Sequence, residues 1–175
     1  YKTGQPVDTL LTSVAAFEDA SLVFSSYEFS SDERFVVLTT ESEGLYRHSF
    51  FANFHVYDMT TSAPARPVTD FSLGKQRLAQ LSPTGDKVAF VRDNNIFVSD
   101  LASGEEVTVT TDGQFNHIIN GATDWVYEEE FGDDQALFWS GDGQRLAYLK
   151  FDESAVREFH MPVYGSLYPD PYTFK

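Results

Sequence analysis

Short apolar stretches, each introduced by a polar turn, recur along the chain. Each copy begins with a cluster of Ser, Asp, Gly and charged residues and continues into a run of Val, Leu, Ala, Phe or Tyr. Turn residues followed by short β-branched and aromatic runs are typical of buried strands. The pattern therefore predicts short antiparallel strands in three copies, at residues 31–38, 82–91 and 140–149.

The strands that follow these turns also repeat at a fixed spacing. Asp58 to Asp100 and Asp70 to Asp112 are both steps of 42 residues. A period of about 40 to 50 residues with four short strands per unit is typical of a β-propeller blade. We predict an all-β fold, a partial β-propeller of about three four-stranded antiparallel blades. A sandwich with irregular hairpins is the alternative that the same pattern allows.

Two inserted segments interrupt the repeat. The first copy has 9 more residues than the second between its strands, around residues 41–49, and 16 further residues separate the later copies, in a stretch that contains residues 124–131. Insertions in repeat proteins form loops on one face, which is often the binding face. One insertion contains an arginine and the other a block of glutamates, so we expect binding chemistry where they lie.

Three consecutive glutamates, Glu128, Glu129 and Glu130, lie in the later insertion. They follow Asp124, a residue type that caps helix N-termini, and the segment is predicted to form a short helical insertion at a blade edge. Side chains on a helix point about 100° apart from one residue to the next, so two adjacent glutamates are expected to rim one cavity. The alternative is an acidic, solvated helix face without a role.

Paired carboxylates suit a cationic ligand. An ammonium group has three N–H donors and no acceptor, so two carboxylates satisfy it better than one. Two carboxylates held close together also repel each other, which is expected to raise the pKa of one of them until a cation arrives.

Charge and composition narrow the range of partners. The 175 residues include 27 acidic and 12 basic side chains, a formal charge of −15, which argues against binding to nucleic acid or to an anionic membrane. The absence of cysteine excludes disulfides and thiolate metal sites. We expect neither a metal nor a cofactor, because no metal-ligand spacing relates the histidines, which are His48, His55, His117 and His160.

The chain shows no targeting segment. It has no run of about 18 apolar residues for a membrane span, and its first residues do not form a basic flank followed by an apolar stretch. If the protein is exported, its targeting segment is expected to lie outside this sequence.

Residues 124–131, Asp-Trp-Val-Tyr-Glu-Glu-Glu-Phe, resemble the double-glutamate motif of the dipeptidyl peptidase IV family. Residues 46–50, Tyr-Arg-His-Ser-Phe, resemble the arginine segment of the same family, and the similarity covers nearly the whole chain in order. The family consists of prolyl oligopeptidase-type serine exopeptidases with an N-terminal β-propeller. One departure follows Phe131, where residues 132–134 replace a longer apolar stretch. The side-chain preference next to the cleavage point therefore stays open.

The resemblance implies roles for three residues. Glu129 and Glu130 are expected to bind the free α-ammonium of a peptide, and Arg47 to contact the carbonyl near the scissile bond. Family members release amino-terminal dipeptides, usually after proline or alanine, and an ammonium held at a set distance from the nucleophile explains such a cut. Glu128 is expected to face away or to make structural contacts.

The position of Arg47 also allows a simpler interpretation. Glu41 and Glu43 lie a few residues before Arg47, so a surface ion pair with either of them is the alternative to a role in the site.

The sequence contains no Gly-x-Ser-x-Gly nucleophile motif. The resemblance implies that residues 1–175 are part of the propeller, inactive alone, and that an α/β-hydrolase domain with the Ser-Asp-His triad is expected downstream of residue 175. The resemblance further suggests that the parent is a homodimer and is periplasmic, extracellular or at the cell surface.

Two other functions are weighed against this one. A non-enzymatic β-propeller that binds protein partners is the main alternative. A carbohydrate-acting enzyme with paired carboxylates fits less well, because glycosidase carboxyl groups normally come from separate elements about 5 Å or more apart.

Overall fold

The computed structural model describes residues 23–61 and 63–175, which form antiparallel sheets and one short α-helix. The first sheet has four strands in spatial order, which are β1 (Phe24–Phe29), β2 (Phe35–Gly44), β3 (Phe50–Asp58) and β4 (Arg66–Pro67). The second has four strands in the same order, which are β5 (Arg77–Leu81), β6 (Lys87–Arg92), β7 (Asn95–Asp100) and β8 (Glu106–Thr108). Both sheets have the predicted blade topology.

The third repeat is built differently, because its strands pair two by two. Its strands are β9 (Ile118–Asn120), β10 (Leu137–Trp139), β11 (Leu146–Tyr148) and β12 (Lys150–Asp152). Only Leu149 separates β11 from β12, and these two strands pair with β10 and β9 respectively. β9 and β10 therefore occupy successive parts of one strand position, alongside the nearly continuous strand that β11 and β12 form.

Residues 121–136, which connect β9 to β10, leave the sheet and return to it. Gly121 and Ala136 hold the two ends of this excursion together, since the Ala136 N–H donates to the Gly121 carbonyl at 3.1 Å. The excursion is the insertion that the repeat spacing predicted, and it contains the helix α1 (Trp125–Phe131) that was predicted to follow Asp124. Among the described residues no helix is long and apolar enough to cross a membrane. A final hairpin follows, formed by β13 (Phe159–Val163) and β14 (Asp170–Phe174).

The core lies between successive repeats. Alternate residues of β6 face opposite ways, with Val88 and Phe90 in a cluster shared with the first sheet and Ala89 and Val91 in a cluster shared with the third repeat. All four are essentially inaccessible to solvent. A sheet buried on both faces by its sequence neighbours is arranged as a propeller blade, so the structure favours the propeller over the sandwich.

The hairpin between β2 and β3 extends beyond its sheet. β2 has 10 residues and β3 has 9, whereas β6 and β7 have 6 each, and the pairing of β2 with β3 shifts register between Thr40 and Glu43. The extra length falls where the sequence predicted the first insertion. We call residues 41–50 the arginine hairpin.

Gly121, at the start of the excursion, is predicted to be intolerant of a side chain. Its φ is +78°, and a Cβ atom there would lie 2.9 Å from Cγ1 of the buried Ile96. We expect Gly121→Ala to lower the free energy of unfolding by about 2 to 4 kcal/mol, because the left-handed backbone and the overpacking both contribute. Urea unfolding measures the loss.

Substitutions at two other glycines measure the effect of the left-handed backbone separately from the effect of overpacking. Gly132 has a φ of +73° but open space at its Cβ position, so Gly132→Ala should cost only about 1 kcal/mol. Gly141 has open space and no left-handed backbone, so Gly141→Ala should change little. A loss in Gly121→Ala no larger than that in Gly132→Ala would contradict the packing argument.

Candidate functional site

The helix α1 is capped at both ends by its own sequence. The Asp124 carboxylate accepts a hydrogen bond from the N–H of Tyr127 at 2.9 Å, which confirms Asp124 as the N-cap. At the other end Gly132 adopts the left-handed conformation and donates its N–H to the Glu128 carbonyl at 3.0 Å. These two caps limit the helix to the segment that carries the glutamates.

Aromatic side chains attach α1 to the third repeat and the last hairpin. The ring centre of Tyr127 lies 4.9 Å from that of Phe151 on β12, and that of Trp125 lies 6.1 Å from that of Phe174 on β14. The aromatic residues of the motif thus anchor the helix, whose acidic residues are available to contact the arginine hairpin.

Arg47 and Glu129 form a bidentate ion pair. Arg47 donates from Nε to Oε2 of Glu129 at 3.0 Å and from Nη2 to Oε1 at 2.6 Å. Their side chains are 65% and 27% exposed, so the pair lies at the surface. It joins the insertion of the first repeat to the insertion before the third.

The alternative pairing of Arg47 within its own hairpin is not what the structure shows. Glu43 pairs instead with Nζ of Lys75 at 2.8 Å, and Oε2 of Glu41 accepts from the Asn53 amide at 2.6 Å. Both acidic residues of the arginine hairpin therefore have other partners.

Glu128 contacts the same hairpin through backbone atoms. Its side chain is buried, and its Oε1 accepts hydrogen bonds from the backbone N–H groups of His48 at 2.6 Å and Ser49 at 2.9 Å. Adjacent glutamates of α1 thus bind adjacent parts of the hairpin, one the Arg47 side chain and the other the main chain beyond it.

Arg77 of β5 lies behind this contact, and only 4% of its surface is exposed. Burial lowers the pKa of Arg77, while the nearby charges of Tyr46, Glu128 and Asp134 act in the opposite direction. Its Nε and Nη2 atoms find no hydrogen-bond partner among the described residues. Arg77 therefore interacts with the buried Glu128 carboxylate through charge.

The two hairpin-bound glutamates stay ionised for different reasons. Burial acts to raise the pKa of Glu128, but hydrogen bonds from Ser49 and His48 and the charge of Arg77 outweigh it, so the pKa is lowered. The hydrogen bond from Arg47 lowers the pKa of Glu129. The predicted repulsion between carboxylates is outweighed at Glu129, whose pKa is lowered because Arg47, a cation of the chain itself, already binds it.

Glu130 differs from both of its neighbours. It is exposed and has no hydrogen bond or ion pair with any residue that the structure describes. The structure thus brings two of the three predicted site residues, Arg47 and Glu129, into direct contact and leaves the third beside them, facing solvent.

Two features of this site were not predicted from the sequence. The backbone N–H groups of His48 and Ser49 carry no sequence signal as hydrogen-bond donors. The burial of Arg77 had one weak signal, a basic residue at the start of a strand that is otherwise apolar apart from Gln80. Within the described part of the chain, no group of three or more histidine or acidic side chains is placed to hold a metal ion.

Fold and site together define a class, a β-propeller segment in which an acidic helix binds an arginine hairpin from another repeat. The family model for the dipeptidyl peptidase IV (DPP IV) N-terminal region matches residues 30–175. The chain therefore belongs to the dipeptidyl peptidase IV family, and the match covers its N-terminal region.

Individual relatives agree with this assignment. A probable dipeptidyl peptidase 4 of Aspergillus fumigatus is 44% identical over 130 residues, which are 74% of this chain and 16% of that protein. Dipeptidyl aminopeptidase B of Saccharomyces cerevisiae is 36% identical over 160 residues, 89% of this chain and 19% of that protein. The chain thus spans less than a fifth of the length of these relatives.

A solved structure confirms the fold class. The crystal structure of Porphyromonas gingivalis dipeptidyl peptidase 4 is similar over 100% of this chain and 25% of its own, with a TM-score of 0.89 and 45% sequence identity. The predicted β-propeller architecture is therefore confirmed.

We expect Glu129 to titrate below the ordinary range of a glutamate. Because Arg47 lowers its pKa in the folded protein, the stabilisation is present above the pKa of the unfolded chain and is lost as the pH falls through the folded pKa. In Arg47→Ala the midpoint should rise toward the ordinary value, as measured by ¹³C NMR of the side-chain carboxyl.

Lys75→Ala is the matched control, since it removes a cation that pairs with Glu43 of the same hairpin. It should leave the Glu129 midpoint unchanged. Equal shifts in the two variants would show that overall charge, and not the contact with Arg47, sets this pKa.

Proposed function

We propose that this chain is the substrate-recognition portion of a dipeptidyl peptidase IV-like serine exopeptidase, which releases Xaa-Pro or Xaa-Ala dipeptides from peptide amino-termini. Membership of the family and the names of the relatives support the reaction class. One observation carries the assignment of the site, namely that Arg47 and Glu129 meet across two repeats with Glu130 exposed beside them.

In this proposal Glu129 and Glu130 bind the α-ammonium of the substrate. A carboxylate has about four acceptor positions, and Arg47 donates only one N–H to each oxygen of Glu129. Glu129 can therefore accept from a second cation without releasing Arg47. Glu130 supplies a negative charge that no described residue offsets, so the two carboxylates attract an ammonium more strongly than a neutral, blocked amine.

Arg47 contacts the substrate carbonyl near the scissile bond. A guanidinium has five N–H donors, and the pair with Glu129 uses two of them. The remaining donors are held in a fixed plane, because a bidentate pair orients the whole group. An oriented donor loses less conformational freedom when it binds a carbonyl than a mobile surface arginine does.

The nucleophile comes from another segment. No Gly-x-Ser-x-Gly occurs in residues 1–175, so we propose that an α/β-hydrolase domain outside them supplies the Ser-Asp-His triad. With the ammonium fixed at one point and the serine at another, the distance between them selects the bond that is cut. Residues 1–175 alone should not hydrolyse peptides.

Glu129→Gln and Glu130→Gln, made in the intact peptidase, test the proposal. Each substitution keeps the size of the side chain and removes its charge. A charge-assisted hydrogen bond contributes about 1.5 to 3 kcal/mol, so each change should lower kcat/KM for a free-amine Xaa-Pro substrate by about 10- to 100-fold. Steady-state kinetics should show a much smaller effect on the des-amino analogue, which has no ammonium to bind.

Glu43→Gln is the control, because Glu43 is an exposed carboxylate of the arginine hairpin that pairs with Lys75. It should leave both substrates unaffected. If Glu129→Gln and Glu130→Gln reduced activity equally on the free-amine and des-amino substrates, the ammonium site would be refuted.

A further inference from the structure

Glu128 is the buried member of the glutamate triplet. It has only 1% of its surface exposed, so it is not placed to reach a ligand in solvent. Both hydrogen bonds of its side chain go to the main chain of the arginine hairpin, at the two residues that follow Arg47. Its contacts therefore act on the backbone from which Arg47 projects.

The tip of the arginine hairpin has few other restraints. Within the hairpin, the N–H groups of Leu45 and Tyr46 both donate to the Ser49 carbonyl, at 2.9 and 3.4 Å. These bonds close the turn but do not attach it to another repeat. The main-chain bonds from His48 and Ser49 to Glu128 do, as does the exposed pair of Arg47 with Glu129, and charge-assisted bonds are stronger than neutral ones.

Arg77 extends this junction to a third element. It starts β5 of the second sheet, is nearly fully buried, and interacts electrostatically with Glu128. Residues of the first repeat, the second repeat and α1 thus meet at one carboxylate. A group in this position determines how the two insertions are placed relative to each other.

We propose that Glu128 is a positioning residue, which holds the main chain at His48 and Ser49 so that Arg47 presents its guanidinium to Glu129 and to the substrate. The inference rests on the proposed function only where it predicts an effect of Glu128 on the rate of peptide cleavage. The effect on the pair between Arg47 and Glu129 is a property of the folded chain and is measured without substrate.

The first test is the NMR titration of the Glu129 carboxyl in Glu128→Ala. Removal of the Glu128 charge acts to lower the Glu129 midpoint, but loss of the hairpin contact should outweigh this effect and move the midpoint toward the ordinary value, in the direction expected for Arg47→Ala. In Glu128→Gln the midpoint should move less, because the amide keeps an acceptor oxygen for the two N–H groups.

Asp100→Ala is the matched control for this titration. The Asp100 carboxylate also accepts two backbone N–H groups, those of Ala102 and Ser103, but it lies at a turn of the second sheet. It should leave the Glu129 midpoint unchanged. An unchanged midpoint in Glu128→Ala, or the same shift in Asp100→Ala, would overturn the proposal.

The second test is a double-mutant cycle in the intact peptidase on a free-amine Xaa-Pro substrate. Glu128→Ala alone should lower kcat/KM by about tenfold, the amount that corresponds to one charge-assisted hydrogen bond, and Glu128→Gln by less. In an Arg47→Ala background, Glu128→Ala should cause almost no further loss of kcat/KM, because Arg47 is the group that Glu128 positions. Full additivity of the two losses would overturn the proposal.

Two measurements keep the inference testable if Glu128→Ala does not fold. The Glu128→Gln variant replaces it in both tests, with a partial shift and a partial loss expected. In the unmodified protein, the amides of the exposed His48 and of the buried Ser49 should both exchange slowly with solvent. Fast exchange at both would overturn the proposal, whereas unaltered activity in Glu129→Gln would refute the proposed function alone.

Discussion

The contact between α1 and the arginine hairpin is the interaction on which this site depends. It joins two segments that are 79 to 82 residues apart in the chain, through two neighbouring glutamates. Glu128 and Glu129 have the same chemistry but different surroundings, since one is buried against backbone N–H groups and the other pairs with a guanidinium near solvent. Burial, rather than residue type, therefore separates the structural carboxylate from the one available to a ligand.

The propeller architecture makes such a contact possible. β6 is packed on both faces by the neighbouring repeats, so the sheets that carry the insertions are held rigidly with respect to each other. An isolated ion pair as exposed as that of Arg47 and Glu129 contributes little stability, because solvent screens it and both long side chains lose freedom. Its geometry depends on the buried contacts beneath it, at Glu128 and Arg77.

Much of this arrangement is predictable from the sequence. The step of 42 residues, the polar turns and the two insertions indicate blades and the place of their interruptions, and Asp124 indicates where the helix begins. Three identical side chains in a row, however, give no indication of which is buried, because that depends on where the hairpin tip lies in space. Because it also depends on the position of the hairpin tip, the lowering of the Glu129 pKa by Arg47 could not be predicted from the sequence. Nor could the pairing in the third repeat, where β9 and β10 together occupy one strand position.

The balance of charge within the site follows from these contacts. Glu128 lies within reach of the charge of Arg77, and Glu129 is paired with Arg47, so two of the three glutamates are offset by cations of the chain. Glu130 has no such partner among the described residues and faces solvent. The charge of Glu130 is therefore not offset, and it lies beside a carboxylate that still has free acceptor positions. A group with a positive charge and several N–H donors, such as a peptide α-ammonium, complements these carboxylates, whereas a neutral amide would leave the charge of Glu130 unbalanced.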